Sequence, residues 1–153
     1  MRKLELGAGI NPFPGYTHQD IRALPDIEII CDASNIWLFE FDLWDEIRAC
    51  HLLEHFSYTE TVYILKGWRS ILYPGGKIHI EVPNFSWQTR AHTNGEITDE
   101  EAVYYIYGEQ NYEENTHKAG FTEELLQANL IAAGFKDITI QDIGQVLVAE
   151  AYN

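Results

Sequence analysis

The stretch Ala49-Cys50-His51-Leu52-Leu53-Glu54-His55-Phe56 sets two histidines and a glutamate in the spacing H-x-x-E-H. On an α-helix, histidines four apart share one face and hold a zinc ion, with the glutamate beside it to activate a metal-bound water. That metalloprotease reading requires the segment to be helical. Its neighbours argue against it. Glu46-Ile47-Arg48-Ala49-Cys50 has the pattern of a strand, and Ser57 with Glu60 three residues on forms a capping box that starts a helix only afterwards. His51 is therefore expected where a strand ends, and no metal is expected.

Other residues able to bind a ligand fall at the same kind of place. The strand Lys3-Leu4-Glu5-Leu6 ends at Gly7-Ala8-Gly9, and an extended piece from Tyr16 to Ile21, after the turn Pro12-Phe13-Pro14-Gly15, carries Asp20. The apolar run Glu28-Ile29-Ile30-Cys31 ends at Asp32. In open α/β sheets ligands bind outside the carboxyl ends of strands. A glycine turn there lets the backbone approach a ligand closely. A dinucleotide fingerprint is excluded, because its third glycine would fall at Pro12 and no helix start follows to take a pyrophosphate. A phosphate-binding loop is absent as well. The expected ligand is nucleoside-like and independent of phosphates: Asp20 suits two ribose hydroxyls, and Asp32 suits an exocyclic amine.

The elements that must position these residues alternate. After Ser57, Val62, Leu65, Trp68 and Leu72 recur at helical spacing until Pro74-Gly75-Gly76. Lys77 to Val82 alternates at period two, a strand. Thr122 caps a helix with Glu123 and Glu124 in its first turn and Gly134 at its end. The tail from Lys136 to Tyr152 reads as two strands joined near Gly144. Such alternation predicts an α/β fold: a mostly parallel sheet, helices on its faces, and one antiparallel hairpin at the C-terminal edge.

At 153 residues the chain predicts one domain, 1–153, burying roughly 70% of its unfolded surface. No apolar run approaches the ~20 residues that span a bilayer, and "MRKLELGAG" turns glycine-rich too early for a signal peptide. Cys31 and Cys50 read as reduced thiols, which points to the cytoplasm. A net charge of −14 argues against nucleic acid, since phosphate contacts need clustered Lys and Arg. Between Arg90 and Lys118 there is no basic residue except histidine and there are seven Asp or Glu, the pattern of a solvated face.

The series LELGAG, PGYTHQDI, CDAS, DEIRACHLLEHF, LKGWRSILYPGGKIHIEVPNF and AGF resembles the class I S-adenosylmethionine-dependent methyltransferases. It is most similar to a compact bacterial and phage-type group with an H-x-L-E-H-F motif. The resemblance is close over roughly residues 3–85 and loose beyond. It implies a Rossmann-like sheet of about seven strands with the last antiparallel and, in this chain, a first helix shortened or absent, because Pro12-Phe13-Pro14 stands where most members begin one. It implies S-adenosylmethionine as cofactor. Gly7, Ala8 and Gly9 would pass its methionine portion, with Glu5 behind them in place of the group's Asn. Asp20 and Ile21 would hold the ribose, Asp32 and Ala33 the adenine, and His51 and Leu52 the floor between cofactor and acceptor.

Methyl transfer is a direct displacement in which the cofactor brings the leaving group, so the protein contributes mainly alignment. A hydroxyl acceptor also gains from a base, for which His51 is the first candidate, then His55 and His117. Residues 84–120, with Trp87, Tyr104, Tyr105, Tyr107 and Tyr112, are expected as an insertion over the acceptor site. Aromatics with polar handles suit a small polar acceptor such as a sugar, and equally the insertion's own core; the acid around them suits an amine. The function expected is methyl transfer to a small-molecule or sugar-containing acceptor, with no nucleic-acid or membrane partner and a homo-oligomer compatible. The alternative is a cofactor-binding module that no longer transfers.

Overall fold

A computed structural model describes residues 1–35 and 43–153. Seven strands form one mixed sheet flanked by helices: β1 (Lys3–Leu6), β2 (Thr17–Asp20), β3 (Ile29–Ile30), β4 (Trp44–Cys50), β5 (Leu72–Pro83), β6 (Lys136–Asp142) and β7 (Val146–Tyr152). Their order across the sheet is β3-β2-β1-β4-β5-β7-β6. The first five run parallel, while β7 is antiparallel to both β5 and β6. This is the expected parallel sheet with a C-terminal hairpin. The chain reverses direction of travel after β3, so the carboxyl ends of β1, β2 and β4 border one crevice.

Alternation divides the sheet into two unlike faces. Leu4, Leu6, Ile47, Ala49, Ile78, Ile80, Val82, Leu147, Ala149 and Ala151 form the buried one. Against it pack α1 (Thr61–Ser70), through Ile64, Leu65 and Trp68, and α4 (Glu123–Ala133), through Leu126, Leu130 and Ala133. Both helices amphipathically bury one stripe and leave Lys66, Leu125 and Ile131 to solvent.

The opposite face is charged. Lys3 Nζ lies 2.8 Å from Glu46, Lys77 Nζ 3.6 Å from Glu46 and 3.0 Å from Glu150, and His79 Nε2 2.9 Å from Glu81. Arg48 joins Glu81 at 3.1 Å to Glu5 at 3.3 Å. Among the described residues no helix joins β1 to β2, as Pro12-Phe13-Pro14 implied. The connecting turn instead lies on this charged face. Phe13 sets its ring 4.8 Å from the Arg48 guanidinium and donates its N–H to Glu5 at 2.6 Å, and Tyr16 donates its hydroxyl to Glu46 at 2.7 Å.

Several local expectations shift. The capping box of Ser57 and Glu60 does not form. Ser57 Oγ bonds Thr59, its carbonyl accepts from Glu60 N, and α1 starts a turn later at Thr61 without a side-chain cap. Leu72 belongs to β5, not to the helix, because Trp44 pairs with it across the sheet. Pro74-Gly75-Gly76 accordingly sits within the long β5, at the register break before Lys77. Thr122 and Gly134 bound α4 as expected, with Leu125 N donating to Thr122 Oγ1 and Gly134 left-handed at φ 93°.

Within residues 84–120 stand two helices that sequence periodicity did not single out, α2 (Phe85–Thr93) and α3 (Asp99–Tyr107). Both are capped at the N-terminus. Asn84 accepts from Trp87 N, and Thr98 forms a reciprocal box with Glu101. Asn84 also pins the base of the excursion, bridging to Phe121 and donating to the Gly144 carbonyl. No helix among the described residues is long and apolar enough to cross a membrane.

Candidate functional site

Side chains at the carboxyl ends of β1, β2 and β4 line a cleft with about 680 Å³ of open space. Gly7, Asp20, Ile21, Asp32, Ala33, His51 and Leu52, all anticipated from sequence, are in its wall. Gly7 is left-handed (φ 64°), and a Cβ there would stand 2.8 Å from Leu52 Cδ1. Only glycine lets the turn meet the Leu52 side chain this closely. Ala8, Gly9 and Glu5 are not in the wall. Ala8 N and Gly9 N instead donate to the Gln19 carbonyl and to Asp20 Oδ2. Glu5 is spent on the charged sheet face, between Arg48 and Phe13 N.

Asp20 is 4% exposed and holds four hydrogen bonds: Gly9 N and Arg22 Nη2 to Oδ2, Arg22 N and Arg22 Nε to Oδ1. Burial disfavours its charge, but the bonds from Arg22 and Gly9 outweigh that and hold its carboxyl below the usual range. Arg22 also lays its guanidinium 4.4 Å from the Tyr112 ring, which lines the cleft from the far side. A ribose at Asp20 therefore competes with Arg22. Asp32 is exposed and accepts from Ser34 N at 2.8 Å, a tight local turn that fixes Ala33. The Ala33 carbonyl in turn accepts the indole N–H of Trp68 at 3.0 Å, tying this loop to α1.

Gln19, Phe56, Tyr112, Glu114 and Lys118 also line the cleft and were not assigned to the cofactor from sequence. Gln19 is buried and stitches three strand ends together, accepting from Gly7 N and donating to the Cys31 carbonyl. The signal for it was Thr17-His18-Gln19-Asp20, an all-polar run in a strand with neighbours on both sides.

His51 follows β4 directly, in the left-handed region at φ 51°, with its N–H donated to the Glu81 carbonyl at 2.9 Å. Residues 53–55 form a single 3₁₀ turn. No α-helix carries His51 and His55 together, so the zinc-protease geometry is not present. The His51 ring is half exposed, with Nδ1 3.5 Å from Glu54, whose carboxylate holds the imidazole above its ordinary pKa. At that distance the two make an ion pair rather than a well-formed hydrogen bond.

A second cleft, with about 860 Å³ of open space, shares His51, His55 and Tyr112 with the first. Trp87, Tyr104 and Tyr105 from α2 and α3 line it, whereas Tyr107 does not. Its floor is built by the return of the 84–120 excursion onto the 3₁₀ turn. Lys118 N and Ala119 N both donate to the Glu54 carbonyl, and His55 Nδ1 donates to the Thr116 carbonyl. That lacing sets His117 edge-on to His55, ring centres 5.1 Å apart. Burial pushes the His117 imidazole down in pKa, toward the neutral ring.

No protein-family model matches the sequence, and no curated protein matches it. Solved structures do match. One is a SAM-dependent methyltransferase from Archaeoglobus fulgidus, 15% identical, with a TM-score of 0.68 over 99% of this chain and 86% of that one. Another is a possible histamine N-methyltransferase from Thermotoga maritima, 15% identical, with a TM-score of 0.67 over 99% of this chain and 81% of that one. Against an O-methyltransferase family protein from Burkholderia thailandensis, also 15% identical, the TM-score is 0.64 over 99% of this chain, which spans only 51% of that protein. Identities this low speak for the fold alone, and the fold they establish is that of the class I methyltransferases.

Proposed function

We propose that this chain is an S-adenosylmethionine-dependent methyltransferase acting on a small-molecule acceptor. The observation that carries the reading is the paired clefts meeting at His51: one walled by the glycine turn, Asp20 and the Asp32–Ala33 loop, the other by the aromatics of α2 and α3. Adenosine suits the first, with ribose at Asp20 once Arg22 yields and adenine between Ala33 and Phe56. Residues 1–153 then act as one domain in which 84–120 cover the acceptor. The HLLEHF segment is what supports a place in the compact bacterial and phage-type group.

The transfer balances simply. A lone pair on the acceptor attacks the methyl carbon, the carbon–sulfur bond breaks with its electrons passing to sulfur, and the acceptor's proton leaves. His51, facing both clefts with Nδ1 toward Glu54, takes that proton on Nε2. A positioned base contributes on the order of 10²–10⁴-fold, and alignment of the two ligands the larger part.

Calorimetry with S-adenosylmethionine and S-adenosylhomocysteine tests the first half, and no heat at millimolar ligand refutes it. For the second half, His51→Ala is expected to cut turnover by about 10²-fold while leaving cofactor affinity within about threefold. His55→Ala, which unties Thr116, lowers the melting temperature, which His51→Ala leaves in place. Equal behaviour of the two variants would remove His51 from its role.

A further inference from the structure

Glu54 is 1% exposed, and neither of its carboxylate oxygens has a hydrogen-bond partner in the chain. His51 Nδ1, 3.5 Å away, is an ion-pair partner too distant to satisfy them, and a buried carboxylate so placed gains from a further positive charge against it. Two histidines stand beside it. One nitrogen each from His55 and His117 and an oxygen of Glu54 fall within 4.8 Å of one another. Nδ1 of His55 is committed to the Thr116 carbonyl at 3.2 Å, and Nδ1 of His117 to the Tyr105 carbonyl at 3.1 Å. A carbonyl only accepts, so both Nδ1 atoms carry a proton, which leaves Nε2 as the atom of each ring able to bind a metal. This is the outer-sphere pattern that fixes the tautomer of metal-binding histidines.

We propose that Glu54, His55 and His117 bind a divalent transition-metal ion on the floor of the aromatic cleft. Two imidazoles and one carboxylate form a donor set suited to zinc or ferrous ion and leave coordination positions open. Metal–ligand bonds of about 2.1 Å set donors roughly 3.4 Å apart in a tetrahedron, which modest rotation of the side chains reaches from 4.8 Å. The site differs from the zinc set suggested by H-x-x-E-H. It drops His51, recruits His117 from 62 positions after His55 in the chain, and requires no helix. It also departs from the sequence-based expectation of no metal.

Glu54, His55 and His117 themselves line the cleft with Trp87, Tyr104 and Tyr105. If that cleft takes the methyl acceptor, a role that rests on the methyltransferase reading, the acceptor is one that offers an oxygen to the ion. An oxygen held there would have its hydroxyl pKa lowered. Its proton would pass to His51, which lines both clefts, as the oxygen attacks the methyl carbon and the carbon–sulfur bond breaks. The ion site itself does not depend on that reading.

The test uses the tag-free, chelator-treated full chain without cofactor, titrated with Co²⁺ by visible absorption and with Zn²⁺ by calorimetry. The expected result is one ion per chain, weakened about tenfold or more in Glu54→Gln and in His117→Ala. His92→Ala, whose ring pairs with Asp99 on the excursion, leaves it unchanged. Absence of stoichiometric binding to the folded wild type, or affinity that survives both ligand substitutions, overturns the proposal. Should His117→Ala not fold, Glu54→Gln and the wild type decide together: Zn²⁺ must raise the wild-type melting temperature and not that of Glu54→Gln. Ion binding without any affinity for S-adenosylmethionine would leave the site standing and refute the methyltransferase reading; the reverse result would do the opposite.

Discussion

Gly7 shows how much of the first cleft depends on one missing side chain. Its φ of 64° lies in the left-handed region, and a Cβ would stand 2.8 Å from Leu52 Cδ1 and 3.2 Å from Cδ2. Gly7→Ala therefore carries two penalties. Left-handed backbone costs roughly 1–2 kcal/mol for a non-glycine residue, and the clash pushes Leu52 into the cleft. Unfolding in urea should show a loss of at least the first amount, and S-adenosylmethionine affinity should fall as well. Truncating Leu52 in the same chain should restore the affinity lost to the clash but none of the stability lost to strain. Strict additivity of the two substitutions in affinity would mean the contact does not shape the cleft. Glycine turns of this kind can be read from sequence because the chemistry is local. The occupancy of Asp20 by Arg22 could not, since a bidentate pair two residues apart depends on where the strand ends.

The strand β2 illustrates both what sequence reveals and what it withholds. Its position, direction and carboxyl-end aspartate follow from pattern and punctuation, as do β1, β4, the α4 caps and the terminal hairpin. Leu72 was misplaced because pairing across the sheet, Trp44 with Leu72, overrode a local helical period, and Ser57 because its hydroxyl bonds Thr59 and α1 starts only at Thr61. The aromatic helices were missed because each is only nine residues long, and α3 opens on three consecutive acids. His117 joined His55 through main-chain bonds to the Glu54 carbonyl that no spacing rule encodes. Within β2, His18 faces the charged side of the sheet, with Nε2 donating to the Phe13 carbonyl at 2.9 Å and Nδ1 3.2 Å from Glu28. Burial opposes its charge, yet the Phe13 carbonyl, Glu28 and Glu5 together hold its pKa above the ordinary value. A raised folded-state pKa means stability that is complete below the unfolded value of about 6.5 and lost as pH rises through the folded value. Thermal melts should thus show a decline on going from about pH 6 to about pH 8 that His18→Gln makes shallower. An unchanged slope in His18→Gln would place the titration elsewhere.

Across the whole molecule two electrostatic effects oppose each other. The net charge of −14 repels itself and weakens the compact state. The ladder Lys3–Glu46–Lys77–Glu150 and Glu5–Arg48–Glu81, paired at 2.8 to 3.6 Å, holds the charged face of the sheet together. Salt acts on the first far more than on the second, because the Debye length is about 10 Å at 0.1 M and the ladder is short-ranged and largely shielded from solvent. The melting temperature should therefore rise as NaCl goes from about 0.02 M to about 0.3 M. A fall would mean that the ladder, not the overall repulsion, dominates. Arg48→Met sharpens the test. It leaves buried Glu5 and part-buried Glu81 without the guanidinium between them, a loss of about 2–3 kcal/mol, below the 3–5 typical of a fully buried pair because Arg48 keeps some contact with solvent. The two carboxylates then face one another with no cation between them, so salt should recover more stability in this variant than in the wild type. A variant no more salt-dependent than the wild type would mean that Arg48 contributes through its guanidinium against the Phe13 ring and not by pairing the carboxylates.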